Sequence, residues 1–148
     1  FNALPRIRGG SIAVHTFDLD GFKSVNDQFG HATGDRLLQI LSERLRRVVG
    51  QHGVVARFGG DEFVVLQPGL DSECDPGLLP GNIYRELTEP YEVGADQPVR
   101  VGLSLGYSIA DESTASLDAL ILEADSTSYE VKRNGGGFRS HRSQQQGR

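Results

Sequence analysis

The chain has 148 residues, with 15 Lys plus Arg against 20 Asp plus Glu, for a formal net charge of −5. That length holds one domain with a real core, and that charge excludes a general polyanion binder, whose grip on a phosphate backbone needs clustered positive charge; one nucleotide at a local site is not excluded. No apolar run approaches the roughly 20 residues of a membrane helix, FNALPRIRGG lacks the apolar stretch of a signal peptide, and the lone Cys74 rules out an internal disulfide or a multi-cysteine zinc site.

In chain order, SIAVHTF (residues 11–17) is rich in β-branched residues and follows a Gly9-Gly10 break. It reads as a buried strand ending in the acidic Asp18-Leu19-Asp20-Gly21. Gly21-Phe22-Lys23 opens a short helical turn. From Thr33 onward, Leu37, Leu38, Leu41, Leu45, Val48 and Val49 recur at helical spacing, an amphipathic stripe that Gly50 and Gly53 close. VVARF and DEFVVL flank Gly59-Gly60, a hairpin signal, because tight turns of this kind need positive φ. Residues 67–81 read as a loop and Ile83 to Leu87 as a short helix. From Val99 to Ile109 the odd residues are apolar or aromatic, while the even ones are Arg100, Gly102, Ser104, Gly106 and Ser108, predicting a half-buried strand. Ser116 is placed to N-cap a last helix through about Arg133, ended by Gly135-Gly136-Gly137, and a polar tail read as disordered follows.

Helices interleaved with hairpin-linked strands predict an α+β fold, a mostly antiparallel central sheet flanked by helices. Residues 1–10 then form an N-terminal remnant, 11–138 the domain and 139–148 a disordered tail. The absence of any Met marks the chain as a piece of a longer protein. A cytoplasmic location, no membrane segment and no nucleic-acid partner are the matching expectations.

The chemistry gathers at the ends of these elements. Asp18 and Asp20 lie two apart, on one face of an extended strand, and Asp61 and Glu62 follow the hairpin turn. If the hairpin pairs beside the first strand, these carboxylates converge, and convergent carboxylates resist joint ionisation without a cation among them. Mg²⁺ suits such oxygen ligands, with Mn²⁺ close behind; the competing reading is that the acids only cap turns. An EF-hand reading of Asp18 to Gly21 fails, since Lys23 stands where its Gly belongs and Phe29 where its Glu belongs. Amides opening the helical turn, with the Lys23 ammonium, suit phosphate oxygens. Asn26 and Asp35 supply an amide and a carboxylate, and a carboxylate accepts two donors from the pairing edge of guanine that adenine lacks. Singly, Asn26 reads as a turn former and Asp35 as a first-turn helix acid. His15 reads as a core-edge residue, His31 as structural and Cys74 as a spare loop thiol.

DLDGFKSVNDQFGHATGDRLL, followed by RFGGDEF at Arg57 to Phe63, SLG at Ser104 to Gly106 and ADSTSYEVKRNGG from Ala124, resembles the GGDEF domain of diguanylate cyclases. The resemblance runs from about Ser11 to Gly136. It implies a fold like the polymerase palm and the nucleotide cyclases, and condensation of two GTP into cyclic di-GMP with loss of two pyrophosphates. It implies metal ligation by Asp18, Glu62 and the Leu19 carbonyl, with Asp61 as the acid that helps deprotonate the 3′-hydroxyl. Asn26 and Asp35 fall on its guanine-reading positions and Leu38 beside the base. Phe22, Lys23 and Lys132 fall on phosphate contacts, and Gly59 and Gly60 where the nucleotide lies against backbone. Turnover then needs a homodimer, and a flanking sensory or regulatory domain outside this chain is expected.

The chain departs from the family pattern in three places. Only Phe1 to Gly10 stand where the family has its opening stretch and a preceding helix, so part of the pocket wall is expected to be missing. Gly136 stands at a position where the family has Arg, which implies weaker GTP binding. Gly50-Gln51-His52-Gly53 replaces the R-x-x-D of the product-inhibition site, so feedback there is expected to be absent. The alternative is therefore a catalytically weak or inactive GTP-binding regulatory module.

Overall fold

The computed structural model describes residues 11–58, 62–71, 73–111, 114 and 116–141. Strand β1 (Ser11–Asp20) is followed by α1 (Phe22–Phe29), α2 (His31–Val49), β2 (Val54–Arg57), β3 (Glu62–Leu70), α3 (Leu78–Leu87), β4 (Gly102–Ile109), α4 (Leu117–Arg133) and β5 (Gly137–Ser140). The sheet order is β2-β3-β1-β4-β5. All pairings are antiparallel except β4 with β5, so the expected α+β architecture is present.

The sheet buries both faces, and residue parity assigns each. Odd residues of the central strands, among them Phe17, Leu19, Phe63, Val65, Leu103 and Leu105, pack against Leu37, Leu41 and Leu45 of α2 and Ile83 and Leu87 of α3. Even residues Ile12, Val14 and Val64 pack against Leu120 and Ala124 of α4. Strand β4 is thus buried on both sides and not half-buried as its alternation predicts. Its even residues are small because α4 lies directly on them: a Cβ at Gly106 would strike the backbone of Ala124 and Ser128 and come within 2.8 Å of Thr127 Cβ.

Several boundaries differ from those read in the sequence. Strand β1 continues through the acidic segment to Asp20, because β3 pairs with it to Asp18 and β4 to its end. Residues 67–70 extend β3, and α3 starts at Leu78, so the intervening loop is shorter than expected. Strand β4 starts at Gly102; Val99 instead bridges Tyr91. Strand β5 is absent from the sequence reading, which gives Arg139 and Ser140 to the tail. Three glycines at positive φ, Gly135, Gly136 and Gly137, turn the chain back from α4. Phe138 then docks against Tyr84 of α3, with ring centroids 5.7 Å apart, which holds β5 on the edge of β4. His15 is fully buried, not at the core edge.

Candidate functional site

The carboxylates come together through strand register. Asp18 of β1 lies opposite Glu62 of β3 and, on its other side, Ser104 of β4. Directly opposed residues present their side chains on one face, so Glu62, Asp18 and Ser104 form a row across three strands on the α4 side of the sheet. Asp18 and Glu62 are both half-buried. The side chain of Leu19 points into the opposite core and is 2 % exposed, so only its carbonyl is available at the site. Asp20 returns to the Asp18 face, where both its oxygens accept from Ser104 Oγ, at 2.9 and 3.1 Å.

Gly21, at φ 86°, turns the chain from β1 into α1. This puts Phe22 and Lys23 in the first turn of α1, where backbone N–H groups lack intrahelical acceptors. Lys23 Nζ sits 3.2 Å from Asp27 Oδ2 in an exposed pair, weak enough for the ammonium to exchange partners. Asn26 packs over Gly34 in the first turns of α2, the residue before Asp35. Asp35 is exposed and Leu38 buried. Together they open a groove of about 620 Å³ that continues past Gln39, Ser42 and Arg46 of α2 to Arg57 of β2. The Arg57 guanidinium lies 5.7 Å from the Phe63 ring centroid.

At the far side of the row, Lys132 is exposed in the last turn of α4. It stands one turn beyond Ser128, whose backbone faces Gly106 of the same sheet face. Arg133 points elsewhere: it pairs with Glu130 at 3.6 Å and lies over Tyr129 on the outer side of α4. Arg139 is exposed on β5, opposite Gly106 and so one row behind the carboxylates. Among the described residues there is no cluster of three or more His, Cys, Asp or Glu side chains arranged to hold a metal. Asp18 opposite Glu62 nevertheless fits the Mg²⁺ pattern of one or two carboxylates completed by substrate phosphates and water.

Gly59, Gly60 and Asp61 lie outside the described residues. On either side of them, the Phe58 N–H donates to the Glu62 carbonyl at 2.9 Å. The sequence reading missed the far half of the groove, although Gln39, Ser42 and Arg46 continue the Asp35 face of α2 at helical spacing.

The family model described as diguanylate cyclase, GGDEF domain, matches residues 2–137. The chain belongs to the GGDEF domain family. It is 41% identical over 126 residues to the uncharacterized protein y4lL of Sinorhizobium fredii, covering 85% of this chain and 15% of that protein. It is 35% identical over 128 residues to the diguanylate cyclase TpbB of Pseudomonas aeruginosa, covering 86% of this chain and 29% of TpbB. The crystal structure of the TpbB GGDEF domain superposes with a TM-score of 0.82 at 34% identity, covering 90% of this chain and 83% of that one. This GGDEF domain thus spans less than a third of these two full-length relatives.

Two histidines of the GGDEF domain stand away from the row. His31 is exposed in the first turn of α2. His15 faces the opposite core, with Nε2 2.8 Å from Gln67 Oε1 and its ring tilted against Tyr107. Burial pushes its pKa down to about 4, with the Gln67 hydrogen bond opposing.

Proposed function

We propose that the domain condenses two GTP molecules into cyclic di-GMP, with one GTP held by each of two facing copies. The observation that carries this reading is Asp18 opposite Glu62, flanked by the start of α1 and the end of α4. In each half-reaction a 3′-hydroxyl oxygen attacks the α-phosphorus of the other GTP. The bond from that phosphorus to pyrophosphate breaks, and the hydroxyl proton passes to a base, the role we give Asp61.

Asp18, Glu62 and the Leu19 carbonyl would hold Mg²⁺ or Mn²⁺, which when bound acidifies the hydroxyl and neutralises charge on the leaving pyrophosphate. The first-turn amides at Phe22 and Lys23, the Lys23 ammonium and Lys132 take the phosphate oxygens. Asp35 accepts from the ring N–H and exocyclic amine of guanine, Asn26 adds an amide, and Leu38 floors the base. Gly59 and Gly60 let the nucleotide lie against backbone. A second domain in the full-length protein would set the pairing of copies and so the output. A GTP substrate places the domain in the cytoplasm.

One observation favours a second reading, that of a GTP-binding regulatory module with little or no turnover. Gly136 supplies no cationic side chain, and at φ +93°, with the Asp20 carboxylate and the Leu103 carbonyl within 3.3 Å of where a Cβ would stand, any side chain there would be strained. GTP conversion with Mg²⁺ over a protein concentration series separates the two. Cyclic di-GMP formed at a rate rising faster than linearly, and lost by at least about a hundredfold in Glu62→Gln, supports the cyclase. GTP binding without product, even with a leucine zipper fused to the N-terminus, supports the module.

A further inference from the structure

Asp20 shares its sheet face with the two carboxylates proposed as metal ligands, yet its surroundings differ from theirs. Ser104 Oγ donates to both of its oxygens, and Ser104 is completely buried. Two glycines close around the same side chain. A Cβ at Gly102 would lie 3.1 Å from Asp20 Cβ, and one at Gly136 would lie 3.2 Å from Oδ2. The carboxylate therefore lies between β4, to which Ser104 bonds it, and the turn that leads from α4 to β5, which passes close beside it. That turn is short: Gly136 N–H donates to the Val131 carbonyl at 2.9 Å, which ties it to the last turn of α4, where Lys132 sits. On the other side of Asp20 the chain passes through Gly21 directly into α1.

We infer that Asp20 is a positioning residue, not a metal ligand: through Ser104 and Gly136 it fixes the end of α4, and with it Lys132, against the end of β1 and the start of α1. The inference rests on the reading of these elements as a nucleoside triphosphate site. Its physical basis is that Asp20 joins the three segments proposed to carry phosphate and cation ligands. The one proton of a buried hydroxyl, shared between both carboxylate oxygens, restrains the carboxylate against the rigid sheet beside the turn. An amide in place of the carboxylate keeps the shape and still accepts from Ser104 through its oxygen, whereas Ala leaves the buried hydroxyl unpaired.

The test compares Asp20→Asn, Asp20→Ala, Ser104→Ala and the Asp20→Ala/Ser104→Ala double variant. Three readouts are used: affinity for a fluorescent GTP analogue, the Mg²⁺ concentration that half-saturates that binding, and amide hydrogen exchange. A positioning role predicts that Asp20→Ala and Ser104→Ala each weaken the analogue by about tenfold, and that the double variant is no worse than either, because both break one clamp. Asp20→Asn restores affinity to within about threefold, since the amide keeps the Ser104 bond, and leaves the Mg²⁺ midpoint well short of the shift that Glu62→Gln produces. Amides of residues 135–138 exchange faster in the Ala variants and not in Asp20→Asn.

A Mg²⁺ midpoint raised by Asp20→Asn as strongly as by Glu62→Gln overturns the inference in favour of direct ligation. Multiplying single-variant effects, or unchanged exchange in residues 135–138, overturn it as well. A wild-type domain that fails to bind the analogue strikes the nucleotide reading, while the exchange data still judge the clamp.

Discussion

Asn26 and Gly34 touch so closely that a Cβ at position 34 would collide with the Asn26 amide oxygen and lie 3.0 Å from Cγ. The same Cβ would stand 3.4 Å from the Phe22 ring. The bare backbone at Gly34 thus leaves the space that the Asn26 amide occupies against α2. Gly34→Ala is expected to push Asn26 aside and weaken GTP-analogue binding about tenfold. Stability should change by less than about 1 kcal/mol, since only the end of the Asn26 side chain has to move and Ala is the better helix former. Nucleotide titration and urea unfolding of the same variant check the two effects.

Asp35 is exposed and makes no packing contribution to the core. Asp35→Ala should leave the urea midpoint unchanged and weaken GTP by tenfold or more, while ATP affinity stays where it was. Competition between the two nucleotides for one fluorescent analogue reads this directly. Equal loss for GTP and ATP would sink the assignment of Asp35 to the base.

His15 makes stability depend on pH in one direction. Its folded pKa is about 4 against an ordinary value of 6.5, with burial as the main cause. The unfolded chain binds the proton first as pH falls. The contribution of a neutral His15 is thus complete above about pH 6.5, shrinks toward pH 4, and is gone below that, a total of roughly 3 kcal/mol. Urea unfolding at pH 7.5 and 4.5, compared with His15→Gln, isolates it: the variant should lose less stability on acidification than the wild type.

Arg44 of α2 binds the end of α3 and the residues after it. Its guanidinium donates to the carbonyls of Glu86, Glu89 and Pro90, at 3.4, 2.9 and 2.6 Å, and lies 4.1 Å from the Tyr91 ring centroid. Arg44→Ala should lower the unfolding free energy by about 2–3 kcal/mol, since hydrogen bonds to a charged donor and a ring contact are lost together. Arg44→Lys should recover only part, because an ammonium lacks the planar fork. Neither change should move GTP affinity.

Much of this was legible in the sequence. The Ser116 cap is present, with its Oγ accepting from the Ala119 N–H at 3.1 Å, and α4 ends at Arg133 as its pattern indicates. The hairpin strands and the leucine stripe of α2 are also where periodicity puts them. These features depend on local chemistry. What escaped depends on distant partners. Strand β5 has no β-rich run of its own and exists because Phe138 finds Tyr84. The burial of β4 on both faces follows from how closely α4 approaches Gly106, which alternation along β4 cannot reveal. At the site, nothing in the spacing of Asp18 and Asp20 separates a ligand from a clamp; that needs Ser104, 84 residues away from Asp20.

The placement of β1 has a consequence for how the chain acquires its site during synthesis. Among the described strands the one made first is the central one, and its neighbours are β3 and β4, whose residues Glu62 and Ser104 face Asp18 from 44 and 86 positions downstream. A ribosome releases Asp18 well before either neighbour exists, so its strand edges wait unpaired, an exposure that chaperones guard in slow, non-local folds. Truncation before α4 should therefore yield no partial nucleotide binder, since the two ends of the site are sewn together only by the last third of the chain.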